Sequence, residues 1–536
     1  MKKLLAAFLA ALFCASQAFA GSVPPIPPPA PVNLPPNIAT AGPSTVRQVT
    51  PRTAIPNAVS GSNTQGGGRS WQIGYVPISA IKVCYANWYV NSTVSGVETG
   101  AGGVATVRMT VEYPRGTFTV LTWGGSGSGS IADKATGCTD LTNLGFTIPA
   151  NTWFRINEDA NYASGGHVVF SNWSNVCDRA GVGDEYNGGA SGYGHTQDDT
   201  VLGAGAANCW HPAAVMALSD RAVVGIVGDS IPAGVNDMTA DPSGARGLGR
   251  AFALQMPQIN NSVPGDRANW YQNTANSALR TSLLATAGAT VVVNELAVND
   301  FFSGNRTADQ VLGDLITIST NIRAALPGIP IFHTTTTPET TSTDGWVTTA
   351  NQTTVGVGNN NSRMAKNDFQ RGVTSYTATC SATNSSTALT GCSGLTTTTV
   401  GTGMYASGTG FPASDALTAV NQYAGTATLT SNFTGTTGSV STTFAWPTFT
   451  TTWANWQAAS NGLIDIARIG ECAPNQTNVL VANGGVWCVG YVGQTDGTHP
   501  TTFFWLQVEQ LMMNFSFMRK AEAPANDNSS TLKQAA

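Results

Sequence analysis

The run Val223-Val224-Gly225-Ile226-Val227-Gly228-Asp229-Ser230-Ile231 decides how the rest of the chain is read. A short β-branched apolar stretch that ends abruptly in Gly-Asp-Ser suits a buried strand whose carboxyl end hands a serine to a loop. In open α/β sheets ligands bind in the crevice at the carboxyl ends of the strands, so Ser230 stands where a nucleophile is useful. Gly-Asp-Ser alone is also ordinary loop chemistry, and its surroundings must decide between the two.

Toward the C-terminus, strand and helix patterns alternate. Ser243 to Met256 has a helical look through Leu248, Phe252 and Leu254, Ala268 to Asn273 reads as a short strand, and Ser277 to Ala287 as a helix. Thr290 to Leu296 is another buried-strand run. Thr307 to Leu326 is the clearest helix, with Val311, Leu315, Ile318 and Ile322 on one face and Pro327-Gly328 ending it. Ile329 to His333 makes the next strand, Arg363 to Arg371 a helix, Leu463 to Ala467 resumes the sheet, and an amphipathic helix from Thr501 to Met518 closes it. Such alternation predicts a parallel, doubly wound α/β sheet over 221–519. It is interrupted by 372–450, where short strands with Gly turns, amid Thr, Ser, Gly and Ala, read as a β-rich insertion in a surface loop. Residues 520–536 read as a flexible tail.

Toward the N-terminus the texture is different. From 65 to 220 short alternating runs such as Ala105 to Val111 and Thr117 to Leu121, with Gly/Ser turns and no helical periodicity, predict an all-β sandwich. Its aromatics, Trp88, Tyr89, Trp123, Trp153 and Trp173, read mainly as core, with stacking on sugar rings the minority reading. Residues 21–64 are rich in Pro and Gly and read as an extended linker. Lys2-Lys3, an apolar run from Leu4 to Phe13 and Ala18-Phe19-Ala20 have the form of a secretory signal over 1–20, which places the protein outside the cytoplasm, secreted or periplasmic.

Composition agrees with export. Only 10% of the 536 residues are charged and the net charge is −5, without a Lys/Arg run, which argues against a nucleic-acid partner. No later apolar run has the length of a membrane span. Loss of Cys14 with the signal leaves Cys84, Cys138, Cys177, Cys209, Cys380, Cys392, Cys472 and Cys488, and local pairing is expected: 84–138, 177–209, 380–392 and 472–488. Neither C-x-x-C nor H-E-x-x-H occurs, so no metal and no cofactor is expected.

A serine nucleophile needs a base and a group that orients the base. There are five histidines. His167 and His195 lie in the β region, and His211 has no carboxylate just upstream. His333 and His499 follow elements of the α/β domain. In Asp496-Gly497-Thr498-His499-Pro500 a carboxylate three residues before the imidazole can reach its Nδ1, although Asp-x-x-His-Pro on its own is equally a helix-capping turn. Ile231-Pro232 after the serine excludes the Gly-Asp-Ser-Gly-Gly of trypsin-like proteases, and Pro232 excludes the Gly-x-Ser-x-Gly elbow.

Gly228-Asp229-Ser230 after a first strand, taken with Asp496-x-x-His499 before a last helix, resembles the GDSL, or SGNH, hydrolase superfamily. Ala297-Val298-Asn299-Asp300 is similar to that family's Gly-x-Asn-Asp block after the third strand, and Asn273 to Ala278 to its second block, with alanine for glycine in both. The resemblance covers roughly 221–371 and 463–519. It implies a three-layer α/β/α domain, a catalytic set of Ser230, Asp496 and His499, and an oxyanion hole made by the Ser230 N–H, the Ala275 N–H and the Asn299 side chain. It further implies an ester hydrolase working through an acyl-enzyme. The extra β domain and polar composition favour an O-acylated polysaccharide as substrate. A short-chain lipase or polyester-cleaving esterase is the alternative within the class; outside it, the two alanines and the insertion would suit a non-catalytic, phage-tail-like glycan-binding protein.

Overall fold

The computed structural model describes residues 40–91, 96–163, 165–171, 184–198, 200, 202, 208–237, 245–253, 256–395, 400–422, 424–473, 480, 485–492 and 496–513. The signal segment with Cys14, Trp173, Cys177 and the tail lie outside the described residues.

Five parallel strands carry the α/β domain: β1 (Val224–Val227), β2 (Gln258–Asn260), β3 (Val291–Asn294), β4 (Ile331–Thr334) and β5 (Gly462–Ile464), in the order β2-β1-β3-β4-β5. All residues of β1, β3 and β4 are buried, which is why they read as unbroken apolar runs rather than alternating ones. Helices cover both faces. One core sets the sheet against α1 (Leu248–Ala253) and the closing helix Thr502–Met513, through Phe252, Phe504 and Trp505. The other sets it against Thr274–Thr286 and Ala308–Ala325, through Leu283, Leu284, Val311, Leu315, Ile318 and Ile322. The apolar stripe predicted for Ala308–Ala325 is therefore buried, and its start is fixed by a reciprocal Thr307–Gln310 capping box.

One predicted strand is a helix. Ala268–Tyr271 is a helical turn, because the Asp300 carboxylate accepts the N–H groups of Ala268 (2.7 Å) and Asn269 (3.1 Å) and so caps it. The second strand is Gln258–Asn260 instead, ten residues earlier in the chain.

Two larger antiparallel sheets build the N-terminal region, beside two short two-stranded ones. Thr40–Gln48, Ala214–Arg221, Ile78–Ala86, Thr136–Cys138 and Thr142–Ile148 form one. Glu185–Asn187, Gln65–Ile73, Trp153–Tyr162, Ala105–Glu112, Phe118–Val120 and Gly129–Ile131 form the other. Val107, Met109, Phe154, Ile156, Ile81 and Val83 fill the space between them. The linker reading of 21–64 does not hold for its described part: Thr40–Gln48 pairs with Ala214–Arg221, and Ala58–Val59 with Val169–Phe170. Pro43 is tolerated there because the strand lies at a sheet edge with an irregular register between Thr40 and Thr45.

The N-terminal region is not a loosely tethered module. Ala86, Trp88, Val90, Ala214 and Met216 pack in the same apolar cluster as Val227, Ile259, Leu283 and Ala287 of the α/β domain. Main-chain bonds cross the boundary as well, from Gln48 N–H to Ala287 O (2.8 Å) and from Gln258 N–H to Thr50 O (3.2 Å). Trp88 is thus core; Tyr89, Trp123 and Trp153 are partly buried.

Between α/β elements Val357–Arg371 and β5, the β-rich insertion closes into a six-stranded barrel: Ser375–Ala382, Ala388–Thr390, Thr426–Leu429, Asp415–Asn421, Tyr405–Ser407 and Gly438–Ala445. Ala378, Leu389, Leu417, Leu429 and Phe444 fill it. Disulfides join Cys84 to Cys138, Cys380 to Cys392 and Cys472 to Cys488, as expected from local pairing. Cys209 is also disulfide-bonded.

Candidate active site

β1 ends at Val227, and the chain turns back at once through Gly228. A side chain at Gly228 would meet Pro232 Cγ at 2.1 Å, so glycine is what allows the turn to fold over the strand end. Ser230 follows, 6% exposed, with its carbonyl accepting the Val235 N–H (3.1 Å). The turn is tied to the rest of the domain through buried Asp237, which accepts from the Gly247 N–H (2.9 Å), from Arg250 Nη2 (2.9 Å) and from Thr502 Oγ1 (2.6 Å). Thr502 begins the closing helix, whose approach brings in His499.

The structure brings Ser230, His499 and Asp496 together, although 266 residues and more separate the serine from the pair. His499 Nε2 lies 2.7 Å from Ser230 Oγ, and His499 Nδ1 lies 2.8 Å from Asp496 Oδ2. The carboxylate is itself well held: its Oδ1 accepts the N–H groups of Thr498 (2.9 Å) and His499 (3.0 Å), and its Oδ2 accepts Asn236 Nδ2 (3.1 Å). Partial burial pushes the Asp496 carboxyl up, but hydrogen bonds from the His499 ring and from these main-chain donors win and lower it to about 2. Asp496 is therefore ionised at any pH where an ester hydrolase works.

A hairpin, Thr340–Ser342 with Gln352–Thr354, presses on this loop. Thr340 N–H donates to Gly497 O (3.1 Å), and a side chain at Gly497 would come within 1.8 Å of Thr340 O, so only glycine fits. Trp487 Nε1 donates to Gly497 O as well (2.8 Å). Trp487 is next to Cys488, whose bridge to Cys472 spans 16 positions. Replacing both cysteines by alanine should lower the urea-unfolding free energy by about 3 kcal/mol in the chain-entropy account; an unchanged midpoint and slope would show that the bridge does not stabilise the loop.

Of the other four histidines, His167 lies in the N-terminal region and three have side-chain partners elsewhere. His333 is fully buried, bonded through Nε2 to Ser319 Oγ (3.0 Å) and packed on Trp456, and burial lowers it to about 3. His211 meets Ser70 Oγ (2.9 Å) and His195 meets Asp198 (2.9 Å), both in the N-terminal region.

The three expected oxyanion donors fare unequally. Ala275 is exposed in the first turn of Thr274–Thr286, and its N–H is taken by the capping side chain of Asn273 (3.1 Å), so Ala275 is not part of the site. The loop that follows the true second strand, Asn261-Ser262-Val263-Pro264-Gly265, takes that place. Val263 N–H donates to Gly228 O (3.0 Å), which lays this loop alongside the serine turn. Gly265 has φ 84°, a conformation that favours glycine. Among the described residues neither the Ser230 N–H nor the Gly265 N–H has an acceptor. Asn299 stands beyond the end of β3 and donates one amide N–H to Asp266 O (3.0 Å), beside Gly265. A glycine soon after a strand was the signal for Gly265, hidden by the misplaced strand.

The alanine in the third block is strained. Ala297 is fully buried with φ 158° and ψ −22°, outside the regions open to a residue that carries a Cβ. Ala297→Gly should therefore stabilise the fold by about 1 kcal/mol, the relieved strain exceeding the added chain entropy. A lower unfolding midpoint for that variant would refute the strain.

Beneath the serine turn lies a buried ionisable layer. Burial pushes Asp229 well above the usual carboxylate range, against the Ile231 N–H bond (2.9 Å) to its Oδ1. Burial and neighbouring Asp229 do the same to Glu295, while buried Lys366 is lowered to about 7. Burial also raises Glu339, close enough to the pair to sense the charges of His499 and Asp496.

Residues 226–373 match the GDSL-like Lipase/Acylhydrolase family. Among solved structures, a protein from Parabacteroides merdae described as a GDSL-like lipase is similar at 17% identity, over 24% of this chain and 63% of that one, with a TM-score of 0.18. The match thus spans less than two thirds of the Parabacteroides chain. An active-site mutant of a family two carbohydrate esterase from Clostridium thermocellum is similar at 14% identity, over 56% of this chain and 78% of that one, TM-score 0.21. A family two carbohydrate esterase from Cellvibrio japonicus is similar at 10% identity, over 54% and 79%, TM-score 0.19. No curated protein matches the chain.

Proposed function

In a chain that carries a GDSL/SGNH-like hydrolase domain, extended by an N-terminal all-β region and a β-barrel insertion, we propose that Ser230 is the nucleophile of a carboxylic ester hydrolase. The observation that carries this reading is the continuous line from Asp496 through His499 to Ser230 Oγ, at 2.8 and 2.7 Å. His499 Nε2 takes the Ser230 proton as Oγ attacks the ester carbonyl carbon. The oxyanion is met by the Ser230 and Gly265 N–H groups and the Asn299 amide. As the tetrahedral intermediate collapses, His499 gives its proton to the leaving alcohol and the acyl group stays on Ser230. Water, deprotonated by the same imidazole, then attacks the acyl-enzyme, and the acid leaves as Ser230 regains its proton. Asp496 holds the imidazole in the tautomer this needs and stabilises its cation.

For the substrate we favour an O-acylated, in the first place O-acetylated, carbohydrate. Support comes from the polar side chains about the His–Asp pair, Asn236 and Glu339, and from the low-charge, Thr/Ser/Gly-rich composition. Disulfides and the N-terminal sequence pattern support a place outside the cytoplasm. The test is a panel of p-nitrophenyl esters of rising chain length beside acetylated glycans. Highest kcat/KM on acetyl esters, with acetate released from a glycan, is expected; preference for long acyl chains would turn the assignment to a lipase.

A further inference from the structure

Glu98 belongs to the N-terminal region, on the strand Val97–Gly100 of a short hairpin with Trp88–Asn91, yet among the described residues the hydrogen-bond partners of its carboxylate are in the hydrolase domain. It is 1% exposed. Its Oε2 accepts the Leu279 N–H (2.8 Å) and its Oε1 the Arg280 N–H (2.8 Å) and Arg280 Nε (3.4 Å). Leu279 and Arg280 lie within helix Thr274–Thr286, where such N–H groups ordinarily bond to carbonyls four residues back. A carboxylate from another domain has entered the side of that helix.

Arg280 passes the contact on. It is fully buried, its Nη1 pairs with Asp266, and its carbonyl accepts Asn261 Nδ2 (2.7 Å). Asn261 and Asp266 are the two ends of the loop that presents the Gly265 N–H. Asp266 is also the residue whose carbonyl receives the Asn299 amide (3.0 Å). The hairpin touches this loop directly too: a side chain at Gly96 would stand 2.7 Å from Asp266 Oδ1. Glu98, Arg280 and Asp266 thus form a buried carboxylate–guanidinium–carboxylate line that ends on both proposed oxyanion donors beyond Ser230 itself.

We infer that Glu98 is a positioning residue for ester hydrolysis, and that the N-terminal β region completes the active site by bracing the oxyanion loop through Arg280. The inference rests on the esterase reading above. A donor misplaced by a fraction of an ångström stabilises the oxyanion less while leaving ground-state binding almost as before. The effect should therefore fall on kcat.

Glu98→Gln keeps the size of the side chain and removes its charge and one of its two acceptor oxygens. On p-nitrophenyl acetate, at a temperature where the variant is folded, kcat should fall about 10- to 100-fold and KM change less than about twofold, with the shape of the pH profile retained. In an Asn299→Ala background the same substitution should cost clearly less, because part of what Glu98 positions is already gone. A purely structural brace would lower the melting temperature equally in both backgrounds and leave kcat in place; that result overturns the inference. Should Glu98→Gln fail to fold, Gly96→Ala, which pushes on Asp266 from the same hairpin, is measured instead, with the same expectation and the same refuting result. Wild type and Ser230→Ala, run alongside, separate the two claims: if both are equally inert the esterase reading fails. The brace is then judged by amide hydrogen exchange of 261–268, expected to quicken in folded Glu98→Gln, unchanged exchange refuting it.

Discussion

Ser230→Ala is expected to lower kcat/KM on p-nitrophenyl acetate by about ten-thousand- to a million-fold while leaving the unfolding midpoint nearly unchanged. The size follows from the loss of the bond-forming atom itself. Without Oγ there is no acyl-enzyme, and what remains is binding plus whatever the Gly265 and Asn299 donors do for attack by water. The small stability effect follows from the surroundings. The Ser230 side chain is bonded to His499, which stays oriented by Asp496, and the turn is held by main-chain bonds and by Asp237, none of which involves Oγ. A serine-directed fluorophosphonate should label the wild type at Ser230 and leave the variant unlabelled. Equal rates in the two proteins, with no labelling at Ser230, would sink the esterase proposal and leave a binding role for the domain.

The parts of this molecule that depend on local pattern were legible in its sequence. β1, β3 and β4 are buried on both faces and therefore show as apolar runs; Ala308–Ala325 carries its own capping box and stripe. Asp496 and His499 could be paired on paper because they stand three positions apart on one loop, and Gly228-Asp229-Ser230 stood out because it ends a strand. What escaped is what depends on distant residues. Gln258–Asn260 has three residues and no alternation to read, while Trp270-Tyr271 look strand-like and are held helical by Asp300, some thirty positions away. That single displacement put the expected oxyanion donor at Ala275 rather than at Gly265, the donor proposed above. Thr40–Gln48 was hidden by a proline, Pro43, that only the strand's place at a sheet edge makes acceptable. The insertion showed its strands but not the pairing of Ser375–Ala382 with Gly438–Ala445 that closes the barrel. Glu98 meets Arg280 across 182 positions, and nothing local in either stretch announces the other.

Asp496→Asn is expected to lower kcat about a thousand- to ten-thousand-fold with KM little changed, although the substitution replaces one oxygen by one nitrogen. The main chain dictates which oxygen is replaced. Oδ1 accepts two N–H groups, from Thr498 and His499, and an amide would keep its carbonyl there. Its NH2 then occupies the place of Oδ2 and points a donor at His499 Nδ1, 2.8 Å away. Nδ1 must accept, the ring proton moves to Nε2, and the atom facing Ser230 Oγ becomes a donor that cannot take the serine proton. The same geometry fixes how stability depends on pH. The Asp496 carboxyl sits at about 2 in the folded chain against an ordinary 3.8, so the ionised group stabilises the fold above about pH 4, and this contribution is lost as the pH falls through about 2. The variant lacks the contribution at every pH. The gap in melting temperature between wild type and Asp496→Asn should therefore be widest above pH 4 and close toward pH 2. A gap independent of pH would mean that the Asp496 carboxylate is not held by His499 and the loop amides in solution, and the account of His499 as an oriented base would go with it.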